Sequence, residues 1–267
     1  MLSNLLQLAV LVLSVGCPLL VRAHEFWLEP TEYAPTLNKK IELRLKTGEN
    51  FKGSINPYLS SNFLKFTSQQ GKTVRNIEGF DGNDDPAAVL TFKNRGLTII
   101  TYHKKFGYLK YKNFDGFKNF LIKEGLGHFL AQHTAQNKKK TNIEEKYYRA
   151  AKLLLNVGQN GQGQDRFTGM PLELVAEQNP YTLQPGEPLA IRLLQNGKPV
   201  EGALIRAFPQ SNAEEVQLKK TDQDGRAIIP MPSSGPWLLN TVQYLEPKLN
   251  DGVDWVSIWA SLTFEHP

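Results

Sequence analysis

The strongest constraint on the fold is a series of short apolar runs, each closed by a turn signal. Residues 40–46, KIELRLK, alternate apolar and charged side chains strictly, the two-residue period of a half-buried strand. Residues 88–92 (AVLTF) and 97–103 (LTIITYH) are rich in β-branched and aromatic residues, which fit a pleated surface. The same pattern returns after residue 170. Residues 189–194 (LAIRLL) lead into Asn196-Gly197, a two-residue hairpin signal, and a second strand-like run follows it to Ala207. Residues 221–227 (TDQDGRA) form another tight turn before Ile228 and Ile229, and residues 235–239 and 255–264 complete the set. Between the two strand-rich stretches the period changes. Phe114, Phe117, Phe120 and Leu121 fall at helical spacing, and so do Tyr147, Ala150, Ala151 and Leu154.

These patterns predict a mainly β protein of two Ig-like β-sandwich domains, with a helical insertion late in the first. The expected boundaries are 24–168 for the first domain, with its helical segment at 113–157, and 169–267 for the second. The polar stretch 159–164 (QNGQGQ) reads as the connection between them.

Ahead of the first strand lies an apolar run, residues 5–21, ending in Val21-Arg22-Ala23. It reads as a secretory signal peptide, residues 1–23, cut after Ala23 to leave a periplasmic or secreted chain with no transmembrane segment. The run lacks the usual basic start, which leaves a retained anchor as one alternative; lipidation of Cys17 is another, although Pro18 follows the cysteine. Cys17 is the only cysteine, so the processed chain would hold no disulfide and its folding would rest on core burial. The net charge is only +5, and the one dense basic run, Lys138 to Lys140, has no interleaved aromatics; neither suggests nucleic acid. The acidic turn 79–86 (GFDGNDDP) lacks EF-hand spacing and reads as an ordinary loop.

The order NGKPVEGALIRA … TDQDGRAIIPMPSSGPWLL resembles Ig-like modules related to carboxypeptidase regulatory domains and transthyretin. Together with HEFWLEP at 24–30, FLIKEGL at 120–126, EKYYRAAKLLLNVG at 145–158, PLELVAEQNPYTLQPGEPL at 171–189 and WASLTFE at 259–265, it resembles a family of exported bacterial proteins of unassigned function. Members are often described as periplasmic accessories of nickel or cobalt uptake. The resemblance therefore implies a divalent transition metal ion as ligand and a membrane metal-uptake system as partner. Relatives carry a histidine in the strand after the Gly-x-Trp turn, where this chain has Gln243.

His24 would become the first residue after the cut, with a free α-amine beside its imidazole. Amine and ring nitrogen together can chelate nickel, cobalt or copper. His103 is the leading candidate for a second ligand, because it ends a strand in the same domain. Glu25 is the candidate oxygen ligand, with Glu29 as a further carboxylate. His128 and His133 are five apart, which separates them on a helix, and His266 sits at the end of the chain, where fraying is expected. No Gly-x-Ser-x-Gly, His-Glu-x-x-His or phosphate-cradling loop occurs, so the expectation is a protein that is not an enzyme. A copper centre resembling that of lytic polysaccharide monooxygenases is one alternative. The other is a metal-free interaction module using aromatics such as Tyr108, Tyr111, Phe114 and Trp255.

Overall fold

A computed structural model describes residues 25–267; the expected signal peptide at 1–23, with Cys17, and His24 lie outside the described residues. The described elements are, in order, β1 (Glu25–Pro30), β2 (Lys40–Glu49), β3 (Lys52–Asn56), β4 (Phe63–Gln70), β5 (Thr73–Asn76), β6 (Ala88–Thr91), β7 (Gly96–Asn113), α1 (Phe114–Lys123), α2 (Gly127–Ala135), β8 (Thr141–Val157), β9 (Leu172–Ala176), β10 (Leu189–Gln195), β11 (Lys198–Pro199), β12 (Leu204–Pro209), β13 (Gln217–Lys220), β14 (Arg226–Ile229), β15 (Gly235–Leu245) and β16 (Trp255–His266). The protein is mainly β, as the alternating runs predict. Asn196 and Gly197 both have positive φ and close the β10–β11 hairpin, the geometry a primed two-residue turn requires.

One sheet is common to both halves of the chain. Its order is β13-β12-β15-β16-β8-β7-β4-β5, with β16 from the C-terminal half pairing in parallel with β8. Two smaller sheets cover it. In one, β2 pairs with β1, β3 and β6; in the other, β10 pairs with β9, β11 and β14. The expected boundary at 168/169 falls on the connection from the common sheet to β9.

Strand alternation sends neighbouring residues of the common sheet into different cores. Ile100, Tyr102, Ala151, Leu153 and Leu155 meet Phe26, Leu28, Ile41 and Leu43 under the β2 sheet. Ile99 and Leu154 instead join Leu172, Ile191, Leu193, Ile205, Trp237 and Leu262 under the β10 sheet. Each core buries more than a dozen apolar side chains, at roughly 1.5–3 kcal/mol for a fully buried large one.

This double burial corrects the reading of residues 145–157. The spacing of Tyr147, Ala150, Ala151 and Leu154 predicts a helix, but these residues belong to the strand β8. Residues 150–157 are buried without interruption, and a strand buried on both faces shows no alternation to distinguish it from a helix. The helical insertion is therefore α1 and α2 alone. Asn113 caps α1, its side chain accepting from the Gly116 amide. The helices cover one face of the far end of the sheet, where Phe117, Leu121 and Leu126 pack on Tyr111, Ile143, Tyr244, Trp255 and Trp259.

A buried ion cluster pins the common sheet to β9. Lys152 Nζ lies 2.7 Å from Glu173 Oε1 and 3.0 Å from Asp165 Oδ1, and all three side chains are fully buried. Lys152 also donates to the Arg166 carbonyl, while the carboxylates accept backbone amides of Arg166, Ala176, Thr168 and Met170. Replacing Lys152 by Met strands two buried carboxylates. Lys152→Met is expected to lower the unfolding free energy by about 3–5 kcal/mol. Adding Asp165→Asn and Glu173→Gln should restore much of the loss, as measured by denaturant titration.

Candidate functional site

β1 opens at Glu25, one residue after His24. Phe26 and Leu28 face the first core, while Trp27 packs between Phe51, Phe208 and Leu238. Glu25 reaches β12, where its Oε1 lies 3.2 Å from Arg206 Nη1; the same nitrogen is 2.8 Å from Glu124 Oε1, at the C-terminal cap of α1. All three side chains are buried, and Arg206 stacks over Phe208. Burial raises the Glu25 carboxyl to about 7, against the opposing pull of Arg206, and Glu124 raises it further. Glu25 Oε2 is buried and has no hydrogen-bond partner among the described residues.

His103 lies elsewhere. In β7 it pairs with Lys65 on one side and Ala150 on the other. Its neighbour Tyr102 points to the opposite face, where its ring is 5.3 Å from Phe26. The sheet thus separates His103 from β1 and does not bring it together with Glu25. Burial first, and then the Lys65 ammonium, hold the His103 pKa below its ordinary value, and its Nε2 is buried with no partner among the described residues. Glu29 faces Lys46 at 3.6 Å. Among the described residues no three His, Cys, Asp or Glu side chains converge on a common point.

The other described histidines are His128, His133 and His266. His133 is buried against Phe117, and its Nδ1 accepts from Trp255 Nε1. His128 rests on Phe129. His266 is not frayed: it is buried at the end of β16, opposite Gly235. Gln243 sits in β15 and donates to the Val242 carbonyl. Asp81 in the acidic turn takes the Ser60 amide and hydroxyl, and Asp85 takes Arg44, as an ordinary loop would.

One exposed feature with chemical character is the far half of β7. The strand does not end near His103 but continues to Asn113, past the point where Phe63 of β4 pairs with Lys104. Residues 105–113 pair only with β8, so one edge of the strand is open. On the face away from the helices, Phe106 and Tyr108 are 50% and 63% exposed and meet edge to face at 5.6 Å. Lys146 lies over the Phe106 ring at 4.6 Å and is held at 2.9 Å by Asp251. An open groove of about 300 Å³ runs alongside, lined by Tyr108, Lys110, Glu144 and residues 251–253. Of the aromatics expected to make contacts, Tyr108 is exposed and Phe114 half-buried, while Tyr111 and Trp255 belong to the core under the helices. Phe106, Lys146 and Asp251 carry no motif. The alternation Phe106-x-Tyr108-x-Lys110-x-Lys112 is the signal that the strand continues.

A family model matches residues 21–244, well over half the chain. The chain belongs to the family described as a domain of unknown function, DUF4198. The DUF4198 match takes in β1 to β15 and so crosses both halves of the fold. A search of curated proteins returns no match. Among solved structures, the D0–D1 domain of intimin is similar over 90% of this chain and 97% of that chain, at 12% identity and a TM-score of 0.21.

The raised Glu25 carboxyl predicts a pH dependence for a chain that retains residue 23. A folded-state pKa of about 7 against an ordinary 4.5 means that the folded form holds the proton more tightly. The associated stability is full below about pH 4.5 and is lost as pH rises through about 7, by roughly 3 kcal/mol. Relative to Glu25→Gln, the unfolding free energy of the parent chain should therefore fall between about pH 5 and pH 8. Parallel curves for the two proteins would contradict the assignment.

Proposed function

We propose that this chain is an exported, non-catalytic binding module that presents the Phe106–Tyr108 face to a partner protein. The observation that carries this reading is the projecting half of β7, with two large aromatic side chains in solvent beside a groove. Aromatic anchors ringed by charged pairs are the composition of protein-binding hot spots. Here Lys110–Glu144 and Lys146–Asp251 supply the polar rim. The β7–β8 ladder and the helices behind it hold the rings, so little ordering is needed on binding. The resemblance to nickel- and cobalt-uptake accessories supplies the class of partner, a membrane-bound transport protein. A metal-carrying role would instead draw on His24, with the second ligand coming from outside the Glu25–His103 pair that the sheet separates.

Photo-crosslinking in cells tests this reading. A crosslinking residue at position 108 should give a discrete adduct that is absent when it is placed at Ile228, an exposed apolar position on β14. Phe106→Ser with Tyr108→Ser should abolish competition for that adduct while changing stability by no more than about 0.5 kcal/mol per site, as for ordinary surface changes. Equal adducts from both positions would overturn the assignment. So would tight nickel or copper binding that is lost on extending the chain before His24, if the double variant retains full activity in cells.

A further inference from the structure

Lys152 holds its side-chain nitrogen between two carboxylates, with all three side chains removed from solvent. The two acids meet that nitrogen differently. Both Asp165 oxygens lie close, Oδ1 at 3.0 Å and Oδ2 at 3.2 Å, so Nζ faces the carboxyl group as a whole. Glu173 touches it through Oε1 alone, at 2.7 Å. Main-chain amides complete the cluster: Arg166 donates to Asp165 Oδ1, Ala176 to Asp165 Oδ2, and Thr168 and Met170 to Glu173. Burial pushes the Asp165 carboxyl up, toward its protonated form, against the pull of Lys152 and of these amides. An amine and a carboxyl group held together without water are the reactants of an amide. Burial penalises both ions, whereas the amide carries no charge. Fixing the partners at about 3 Å turns a bimolecular encounter into an intramolecular one, and exclusion of water protects the product from hydrolysis.

We propose that Lys152 and Asp165 condense into an intramolecular isopeptide bond, Nζ to Cγ, with Glu173 moving the protons. The ion pair in the structure is the state before the bond closes. A proton passes from Nζ through Glu173 to Asp165, leaving a neutral amine and a carboxylic acid. The amine lone pair then attacks Cγ, and negative charge develops on an oxygen that already accepts a main-chain N–H, from Arg166 or Ala176. Glu173 takes the second proton from the nitrogen and delivers it to the Asp165 hydroxyl. The C–O bond breaks, water leaves, and Glu173 is again a carboxylate. One ammonium and one carboxylate become one amide and one water, so the charge of the cluster is unchanged and no oxidant is needed. The product ties β8 to the connection leading to β9. Residues 25–267 contain no cysteine, so this staple is of a kind that needs neither thiols nor an oxidising compartment. It is independent of the Phe106–Tyr108 reading.

Trypsin digestion of the purified, denatured chain tests the bond. An acylated Nζ blocks cutting after Lys152, so residues 150–166 (AAKLLLNVGQNGQGQDR) should emerge as one peptide, lighter than its sequence by one water. Lys152→Arg and Asp165→Ala should each abolish the loss of water and restore the cut. Glu173→Gln keeps both reactants and should slow closure by about 10²-fold in pulse-labelled chains, the effect of removing a proton-transfer group. A parent chain cut normally after Lys152, at full sequence mass, would overturn the inference. So would a loss of water that leaves this cut intact, the mark of a succinimide at Asp165. Closure at the parental rate in Glu173→Gln would overturn the role given to Glu173. The parent peptide decides whether the bond exists even where a variant does not fold.

Discussion

Leu153 and Leu154 are adjacent in β8 yet lie in different cores, and the rest of the molecule depends on that arrangement. The common sheet is covered on one face by the β2 sheet and on the other by the β10 sheet. A strand in this position must be apolar on both sides, so β8 is buried continuously from Ala150 to Val157. The parallel pairing of β8 with β16 draws the C-terminal half into the same sheet. The halves are layers on one shared support, and loosening that support would disturb both cores at once.

A sheet buried on both faces has little room for charge, and the few charged groups inside are satisfied by specific partners. Lys152 is neutralised by Asp165 and Glu173 where the connection to β9 leaves the sheet. Glu145 lies beneath α1 and α2, accepting from the hydroxyls of Tyr111, Tyr244 and Ser257; burial raises its pKa against those hydrogen bonds. Glu25 differs from both, because one of its oxygens has no donor among the described residues. Buried polar networks of this kind are costly when incomplete.

The open end of β7 shows the opposite pattern of contacts. Beyond Lys104 the strand loses β4, and its lysines discourage pairing with another copy of the same edge. Phe106 and Tyr108 remain exposed there because the β10 sheet does not extend over this end. The β-branched run ends at His103 and the histidines are the conspicuous polar residues, so the sequence points to Tyr108 but to neither Phe106 nor its partner Lys146. The sheet likewise keeps His103 apart from Glu25. Both residues belong to the first half of the chain, but one-residue alternation turns His103 to the face opposite Tyr102 and Phe26.

Local chemistry alone determined the β class, the Asn196-Gly197 hairpin, the ordinary acidic turn and α1 with its Asn113 cap. Each depends on neighbours within a few residues, and propensity or turn geometry settles it. Tertiary structure alone decided that residues 145–157 form a strand, that His133 and His266 are buried, and which carboxylates share Arg206. Those outcomes depend on what covers each face of a sheet assembled from segments distant in the chain. Periodicity carries no record of that covering once both faces are dry.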